Sequence, residues 1–325
     1  MVELRLREAI SKGLREALDN DEKCLLMGED IGEYGGAYAV TKGFLDQYGE
    51  KRIRDMPIAE SIIAGAAIGS AMGGLKPIVE IMTINFTLLA MDQIVNHAAK
   101  IRYMSNGQIS APIILRTVTG GGGGLAATHS QNFEGWYASV PGLIVVTPSN
   151  PYDALGLMRS CIEINDPVIY VEHCLLYSMR GDVPEEYYKV PIGQASVIRE
   201  GTDVTVVTYS GMVNVCLEAA DILASQNINV EVIDLRSLRP LDIDTPTSSV
   251  AKTGRAVVVE ENWKTGGFGA EISTSLHEKA FDYLESPIIR ICGEEVPMPY
   301  TRKLESATIP NSSRIVNEIK LMLRA

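Results

Sequence analysis

Apolar runs of strand length alternate with amphipathic stretches of helical period along most of this chain. Residues 3–19 read as an opening helix, and Lys23 to Glu29 as a short buried strand ending in a glycine-containing turn. A helix follows around Thr41 to Tyr48, Glu60 opens another, and Pro77 to Met82 is an apolar strand. From Leu88 to Met104 the stripe Met91, Ile94, Val95, Ala98 and Ile101 predicts one helix, with Asp92, Asn96 and Lys100 on its polar face. Strand Pro112 to Val118, strand Leu143 to Thr147, helix Tyr152 to Ile164 and strand Pro167 to Glu172 continue the alternation. Continuous apolar strands between helices indicate a parallel sheet covered on both faces. The pattern breaks from Tyr177 to Ile192, where charges, prolines at 184 and 191 and three tyrosines mark a linker. A second unit then places strands at Val204 to Tyr209, Val230 to Leu235, Ala256 to Glu260 and Ile288 to Ile291. A last helix starts near Ser312, capped by Asn311 or Ser312. The expected fold class is α/β, with two doubly wound domains over residues 1–185 and 186–325.

One stretch departs from ordinary patterning. Between Asp55 and Phe86, Glu60 stands immediately before a helix rich in glycine and alanine. Gly65, Gly69 and Gly73 recur every four residues and share roughly one face. Each glycine inside a helix costs about 1 kcal/mol relative to alanine, so such a face implies close approach by another backbone. An acid in a first helical turn is ordinary by itself, because the macrodipole favours it. Its neighbours, the apolar strand and the tail Thr83-Ile84-Asn85-Phe86, turn it into a candidate: a carboxylate at a subunit interface beside apolar strand ends fit for a flat ligand.

Composition narrows the class. Hydrophobic residues make up 46% and charged residues 22%, as in a folded protein. A net charge of −12 speaks against nucleic acid and anionic membranes as partners, since both call for basic patches. The five cysteines (Cys24, Cys161, Cys174, Cys216 and Cys292) form no CxxC pair and read as buried thiols in a reducing compartment. The N-terminal residues have neither the apolar centre of a signal peptide nor the acid-poor character of a transit peptide. The apolar stretch from Ile62 to Leu75 stops at Lys76, short of a bilayer span. The expected location is therefore the cytoplasm or an organelle interior.

The chain lacks GxSxG, HExxH, EF-hand, Walker and GDG-type metal-diphosphate motifs. The run Gly120 to Gly124 has neither dinucleotide nor P-loop spacing and reads as a flexible loop. Beyond it, Thr128-His129-Ser130-Gln131 puts a histidine where open α/β sheets place ligands, which suits proton transfer. Glu260, Glu261 and His277 read as solvated or structural, and Glu294-Glu295-Val296-Pro297 as a surface loop. One carboxylate, one histidine, apolar strand ends and a close-packing face make half an active site. The other half is expected from another chain, across the glycine-faced surface.

The segments DMPIAE, AAIGSAMGG, MTINF, DQIVNHAAKIRYMS, HSQ, PGLIVVTPSNPYDALGL, DPVIYVEH and DLRSLRPLD resemble the β subunits of 2-oxoacid dehydrogenase E1 components, most closely pyruvate dehydrogenases of the α2β2 type. The resemblance spans the whole chain with its motifs in order. It implies a thiamine-diphosphate pyrimidine-binding domain followed by a transketolase-type C-terminal domain. It also implies an enzyme that decarboxylates pyruvate and reductively acetylates the lipoyl group of E2, feeding acetyl-CoA synthesis. Its partners would be an E1 α subunit in an α2β2 heterotetramer and a lipoyl-bearing E2 acetyltransferase. The cofactor would be shared, with Mg²⁺ and the diphosphate held mainly by α.

By the same resemblance, Glu60 matches the glutamate that hydrogen-bonds ring nitrogen N1′. A carboxyl buried against that ring is expected to hold a shared proton near neutrality. Met82 and Phe86 match residues packed on the pyrimidine, while Asn85 receives no role. His129 matches a histidine of proton handling or acyl transfer. Ile113, Cys161, Ile162, Ile164 and Asp166 match positions whose backbone carbonyls hold a structural potassium ion. Branched-chain and acetoin enzymes share much of the pattern, and a non-catalytic scaffold subunit is the alternative from another class.

Overall fold

The computed structural model describes residues 1–324; Ala325, the last residue of the expected second domain, lies outside them. Contacts divide the chain into two compact units, Met1–Thr119 with Trp136–Ile192, and Gly120–Gly135 with the residues from Gly193 onwards. The glycine run and the segment carrying His129 thus fold with the second unit, although they interrupt the first in sequence.

The first unit opens with strand β1 (Val2–Arg5) and helix α1 (Leu6–Asn20). Then come β2 (Cys24–Gly28), α2 (Phe44–Tyr48), β3 (Ile53–Asp55), α3 (Glu60–Met72), β4 (Lys76–Ile81), α4 (Ile101–Met104) and β5 (Ile114–Thr119). After the excursion into the second unit the chain returns through α5 (Glu134–Ala138) to β6 (Ile144–Val146), α6 (Pro151–Ile162), β7 (Val168–His173) and β8 (Arg180–Val183). The strands β6-β7-β5-β4-β2-β3 lie side by side in that order, all parallel. Their centre is a continuous apolar core that includes Ile78, Ile114, Val168 and Tyr170. On it α1 packs against α6, whose first turn is capped by Asn150 accepting from the Asp153 amide at 2.8 Å.

Three expectations are corrected here. The opening helix starts only at Leu6, because Val2–Arg5 pairs antiparallel with Arg180–Val183, and that partner strand lies inside the expected linker. The short β3 has too few residues to show a period. The single helix expected over Leu88 to Met104 is instead a 3₁₀ turn at Phe86–Ala90, a π turn at Gln93–Ala98 and the short α4. The π turn, in which the Ala99 amide reaches the Ile94 carbonyl at 3.0 Å, still buries Ile94 and Ala98. Burial therefore kept the stripe while the hydrogen bonding changed.

The second unit holds β9 (Ser196–Arg199), β10 (Val204–Thr208), α7 (Met212–Ala224), β11 (Val230–Asp234), β12 (Ser237–Arg239), α8 (Asp244–Thr253), β13 (Ala256–Trp263), α9 (Gly269–Ala280), β14 (Ile289–Gly293), α10 (Arg302–Thr308) and α11 (Ser312–Met322). Its sheet runs β14-β13-β10-β11-β9, parallel except for β9. Residues Cys216, Ala219, Ile315 and Ile319 knit α7 and α11 into the core on this sheet. Asn311 caps α11 by accepting from the Arg314 amide at 3.0 Å, as the sequence indicated. All five cysteines are free, and burial pushes the Cys24, Cys216 and Cys292 thiols up to about 12, which keeps them unreactive.

Candidate active site

In an open parallel sheet, ligands bind beyond the carboxyl ends of strands at the point where the strand order reverses. In the first unit the chain leaves β2 toward β3 on one side and returns to β4 on the other, so the fork lies between β2 and β4. Glu29 follows β2 directly, Met82 and Thr83 follow β4, and Glu60 is the first residue of α3, which packs on β4 and on the 86–90 turn.

Four polar residues here are buried without partners. Glu29 Oε1, Thr83 Oγ1, both amide atoms of Asn85 and Thr117 Oγ1 make no hydrogen bond among the described residues. Leaving a buried polar group unpaired costs about 1–3 kcal/mol, so several at one strand fork mark a place built to be completed. Glu60 is 4% exposed, while Met82 and Phe86 are half-buried at the rim. The fork thus offers a carboxylate, acceptors, donors and apolar surface together, which suits a flat heterocycle with ring nitrogens and an amino group.

The electrostatics beneath the fork are unusual. Arg116, fully buried on β5, donates to Glu80 Oε2 at 2.6 Å and to both oxygens of Glu172 at 2.7 and 2.9 Å. Tyr177 adds a hydroxyl hydrogen bond to Glu172 at 2.5 Å. Burial opposes the Arg116 charge, but the two carboxylates hold it protonated. One guanidinium does not balance Glu29, Glu60, Glu80 and Glu172. Burial first, then the charges of Glu60, Asp30 and Glu80, push the Glu29 carboxyl above the usual carboxylate range. The loop carrying it is pinned from β3, since Asp55 accepts the Gly32 amide at 2.6 Å, and a side chain at Gly32 would meet that carboxylate at 2.7 Å.

Glu60, Met82 and Phe86 belong to the first unit, and His129 to the second. His129 is exposed, with its Nδ1 3.0 Å from Thr128 Oγ1. The glycine run before it is tied to carboxylates, which corrects the expectation of a flexible loop: the Gly121 amide donates to Glu261 at 2.5 Å and the Gly122 amide to Glu305 at 2.9 Å. Glu260 and Glu261 are buried, so of the two readings offered for them the structural one holds. His277 is exposed and stacks edge-on against Phe281. Cys161, Ile162 and Ile164 lie at the end of α6 and the turn beyond it, and Ile113 precedes β5, where its carbonyl accepts the Val168 amide at 2.9 Å. The Asp166 carboxylate is bound to Arg102 at 2.6 and 2.7 Å.

Glu29 escaped the sequence reading, and Thr83 and Asn85, noted in the tail after β4, received no role there. An acid directly after a fully apolar strand was a usable signal for Glu29; the two neutral residues gave none.

The chain is similar to known proteins over nearly its whole length. A family model described as transketolase, pyrimidine binding domain, matches residues 2–179, and one described as transketolase, C-terminal domain, matches residues 193–315. The pyruvate dehydrogenase E1 component subunit beta, mitochondrial, of Dictyostelium discoideum is 48% identical over 322 residues, covering 98% of this chain and 90% of the relative. The pyruvate dehydrogenase E1 component subunit beta of the bacterium Rickettsia bellii is 47% identical over 319 residues, covering 98% of each. The chain belongs to the pyruvate dehydrogenase E1 β-subunit family. A solved structure described as a split gene transketolase, inactive beta4 tetramer, shares the fold with a TM-score of 0.78 at 23% identity, covering 98% of this chain and 97% of that one. No helix among the described residues is long and apolar enough to cross a membrane.

Proposed function

We propose that this chain provides the pyrimidine half of a thiamine-diphosphate site in a pyruvate dehydrogenase E1 α2β2 heterotetramer. Residues 1–185 serve as the pyrimidine-binding domain and 186–325 as the transketolase-type domain. The observation that carries this reading is the cluster of unpartnered buried atoms of Glu29, Thr83, Asn85 and Thr117 around the strand fork. When bound, the cofactor supplies a carbon nucleophile that adds to the 2-oxoacid carbonyl and accepts the electron pair left by CO₂.

The chain's own residues orient that group and manage its protons. Glu60, at the amino end of α3, would accept or donate the hydrogen bond at ring nitrogen N1′ and so hold or release a proton at that atom. Glu29 replenishes that proton. Met82 and Phe86 cover the ring and keep water away. His129 handles protons in acyl transfer to the lipoyl group of an E2 acetyltransferase. The α subunit holds Mg²⁺ and the diphosphate.

The backbone carbonyls of Ile113, Cys161, Ile162, Ile164 and Asp166 would hold a structural potassium ion. Carbonyls at a helix end are short of intrahelical partners, while those of Cys161 and Ile113 already accept the Ile164 amide at 3.2 Å and the Val168 amide at 2.9 Å and would offer the ion their second lone pair. The assembly works in a bacterial cytoplasm or an organelle interior, in keeping with bacterial and mitochondrial relatives.

Calorimetric titration of thiamine diphosphate with Mg²⁺ tests the shared site. Binding is expected only when this chain is mixed with an E1 α subunit, together with pyruvate-dependent CO₂ release. Tight binding by this chain alone would overturn the division of the site.

A further inference from the structure

The second unit has a strand fork of its own, between β10 and β13, because the chain runs from β10 to β11 on one side and returns to β13 on the other. Here the carboxylates at the end of β13 meet partners from the chain itself, although Ser210 Oγ, just past β10, is buried without a hydrogen bond among the described residues. Glu260 at the end of β13 accepts the Gly269 amide at 3.0 Å and the Tyr209 hydroxyl at 3.2 Å. Between Val259 and Trp263 the register of β13 against β14 shifts, a bulge that re-aims the carboxylates following Val259.

Against Glu261 and against Glu305 of α10 lies the glycine run. Gly121 donates to Glu261 at 2.5 Å, Gly122 to Glu305 at 2.9 Å, and Gly124 to both Glu305 oxygens at 3.1 Å. Gly120, Gly122 and Gly124 have φ of 94°, 90° and 69°. A backbone that alternates into this region turns successive amides toward one side and makes an anion-binding nest. Such nests usually serve phosphates; this one is filled by Glu305, whose residue is only 1% exposed.

The same segment is anchored at its far end. Ser130, Asn132, Phe133 and Glu134 are buried in the second unit, and Gly135 lies against Phe268, with 3.1 Å to where a side chain would begin. Between these two anchors only the tip around Leu125 and His129 is exposed.

We propose that Glu305 and Glu261 are positioning residues: by holding the glycine run through its amides, they fix the segment that presents His129. The proposal rests on the reading of His129 as a group of acyl transfer. Carboxylates are suited to this task, since each can accept several amides without competing donors of its own.

The test uses the assembled α2β2 enzyme carrying Glu305→Gln, in which an amide replaces one accepting oxygen with a donor. Hydrogen exchange of a peptide spanning 120–135 is expected to quicken about tenfold or more, the scale of losing hydrogen bonds to a charged group. Acetyl transfer to a lipoyl domain is expected to fall by a similar factor, while decarboxylation measured with ferricyanide stays within about twofold. Gly122→Ala is the second variant, because alanine resists a φ near +90° while both carboxylates remain; it is expected to act in the same direction. Native mass and cofactor binding report whether each variant assembles.

Unchanged loop exchange in both variants overturns the proposal. So does faster exchange with acyl transfer intact, in an enzyme where His129→Ala abolishes transfer. If His129→Ala itself leaves transfer intact, the functional reading of His129 falls. The exchange of the loop amides then decides on its own whether the carboxylates hold the segment.

Discussion

In the first unit Glu29, Thr83 and Asn85, which follow β2 and β4, keep buried atoms without partners among the described residues. In the second, by contrast, the carboxylates Glu260 and Glu261 at the end of β13 are met by the chain's own loops, while Ser210 Oγ past β10 stays unpaired at that fork. Both forks hold buried carboxylates at the carboxyl ends of parallel strands. Glu29 is left with an unpaired oxygen and a like-charged neighbour, while Glu260 receives an amide, a hydroxyl and the Arg290 guanidinium at 3.3 Å. Burial raises both carboxyls above their ordinary range, and only at Glu260 do hydrogen bonds and a cation work against it. The contrast teaches that fold and fork do not by themselves make a site. The two forks differ in whether the chain itself satisfies their buried carboxylates.

The sharpest way to break this comparison is Glu60→Gln. Loss of the acid partner is expected to lower decarboxylation by about 10²–10⁴-fold while the heterotetramer still assembles. Turnover at the unmodified rate in a steady-state assay would remove Glu60 from the mechanism. Next in size is Glu260→Gln, which gives up charge-assisted hydrogen bonds in a finished structural fork. It is expected to destabilise the chain by about 1.5–3 kcal/mol in urea titration at neutral pH, with little effect on cofactor affinity. A variant as stable as the parent would show that the second fork is no better satisfied than the first.

Glu29→Gln should act in the opposite direction on stability. The Glu29 carboxyl is raised in the folded chain, so between its ordinary value of 4.5 and its raised one the folded state binds more proton than the unfolded state. Stability tied to this group is whole below that ordinary value and is lost as pH rises through the raised one. The glutamine variant should therefore melt higher near neutrality, by no more than about 1 kcal/mol after solvent screening, and should match the parent in acid. Reduced turnover is expected alongside. A variant that melts lower at neutral pH would mean that the Glu29 charge is compensated. The smallest effect on the isolated chain belongs to Gly69→Leu. Nothing lies within 4 Å of where its side chain would begin, and leucine is the better helix former by up to about 1 kcal/mol. The isolated chain should keep its stability while the native mass of the mixture with α drops; an unchanged mass would disconnect the glycine face from assembly.

Much of the frame was legible because long apolar strands between amphipathic helices carry strong periodic signals. Strands β2, β4, β5, β7, β10, β11 and β13 appear within a few residues of their expected bounds. The elements that stayed hidden depend on distant partners. The strand Val2–Arg5 exists because Arg180–Val183 pairs with it, and the three residues of β3 extend a sheet already formed by β2. The helix expected from Leu88 onward failed for a different reason. A stripe specifies which residues are buried, and 3₁₀, α and π turns can all satisfy it over a few residues.

The sequence by itself determined the alternating α/β frame, the candidacy of Glu60 and His129, and the lack of a diphosphate-binding turn, because each is local in residue type and spacing. Only the tertiary structure decided that Glu29, Thr83 and Asn85 share an unfinished fork and that the glycine run is fastened. The carboxylates that fasten it lie 140 and 183 residues away along the chain. Whether a buried polar group is satisfied depends on what folding brings to it, and no local pattern encodes that.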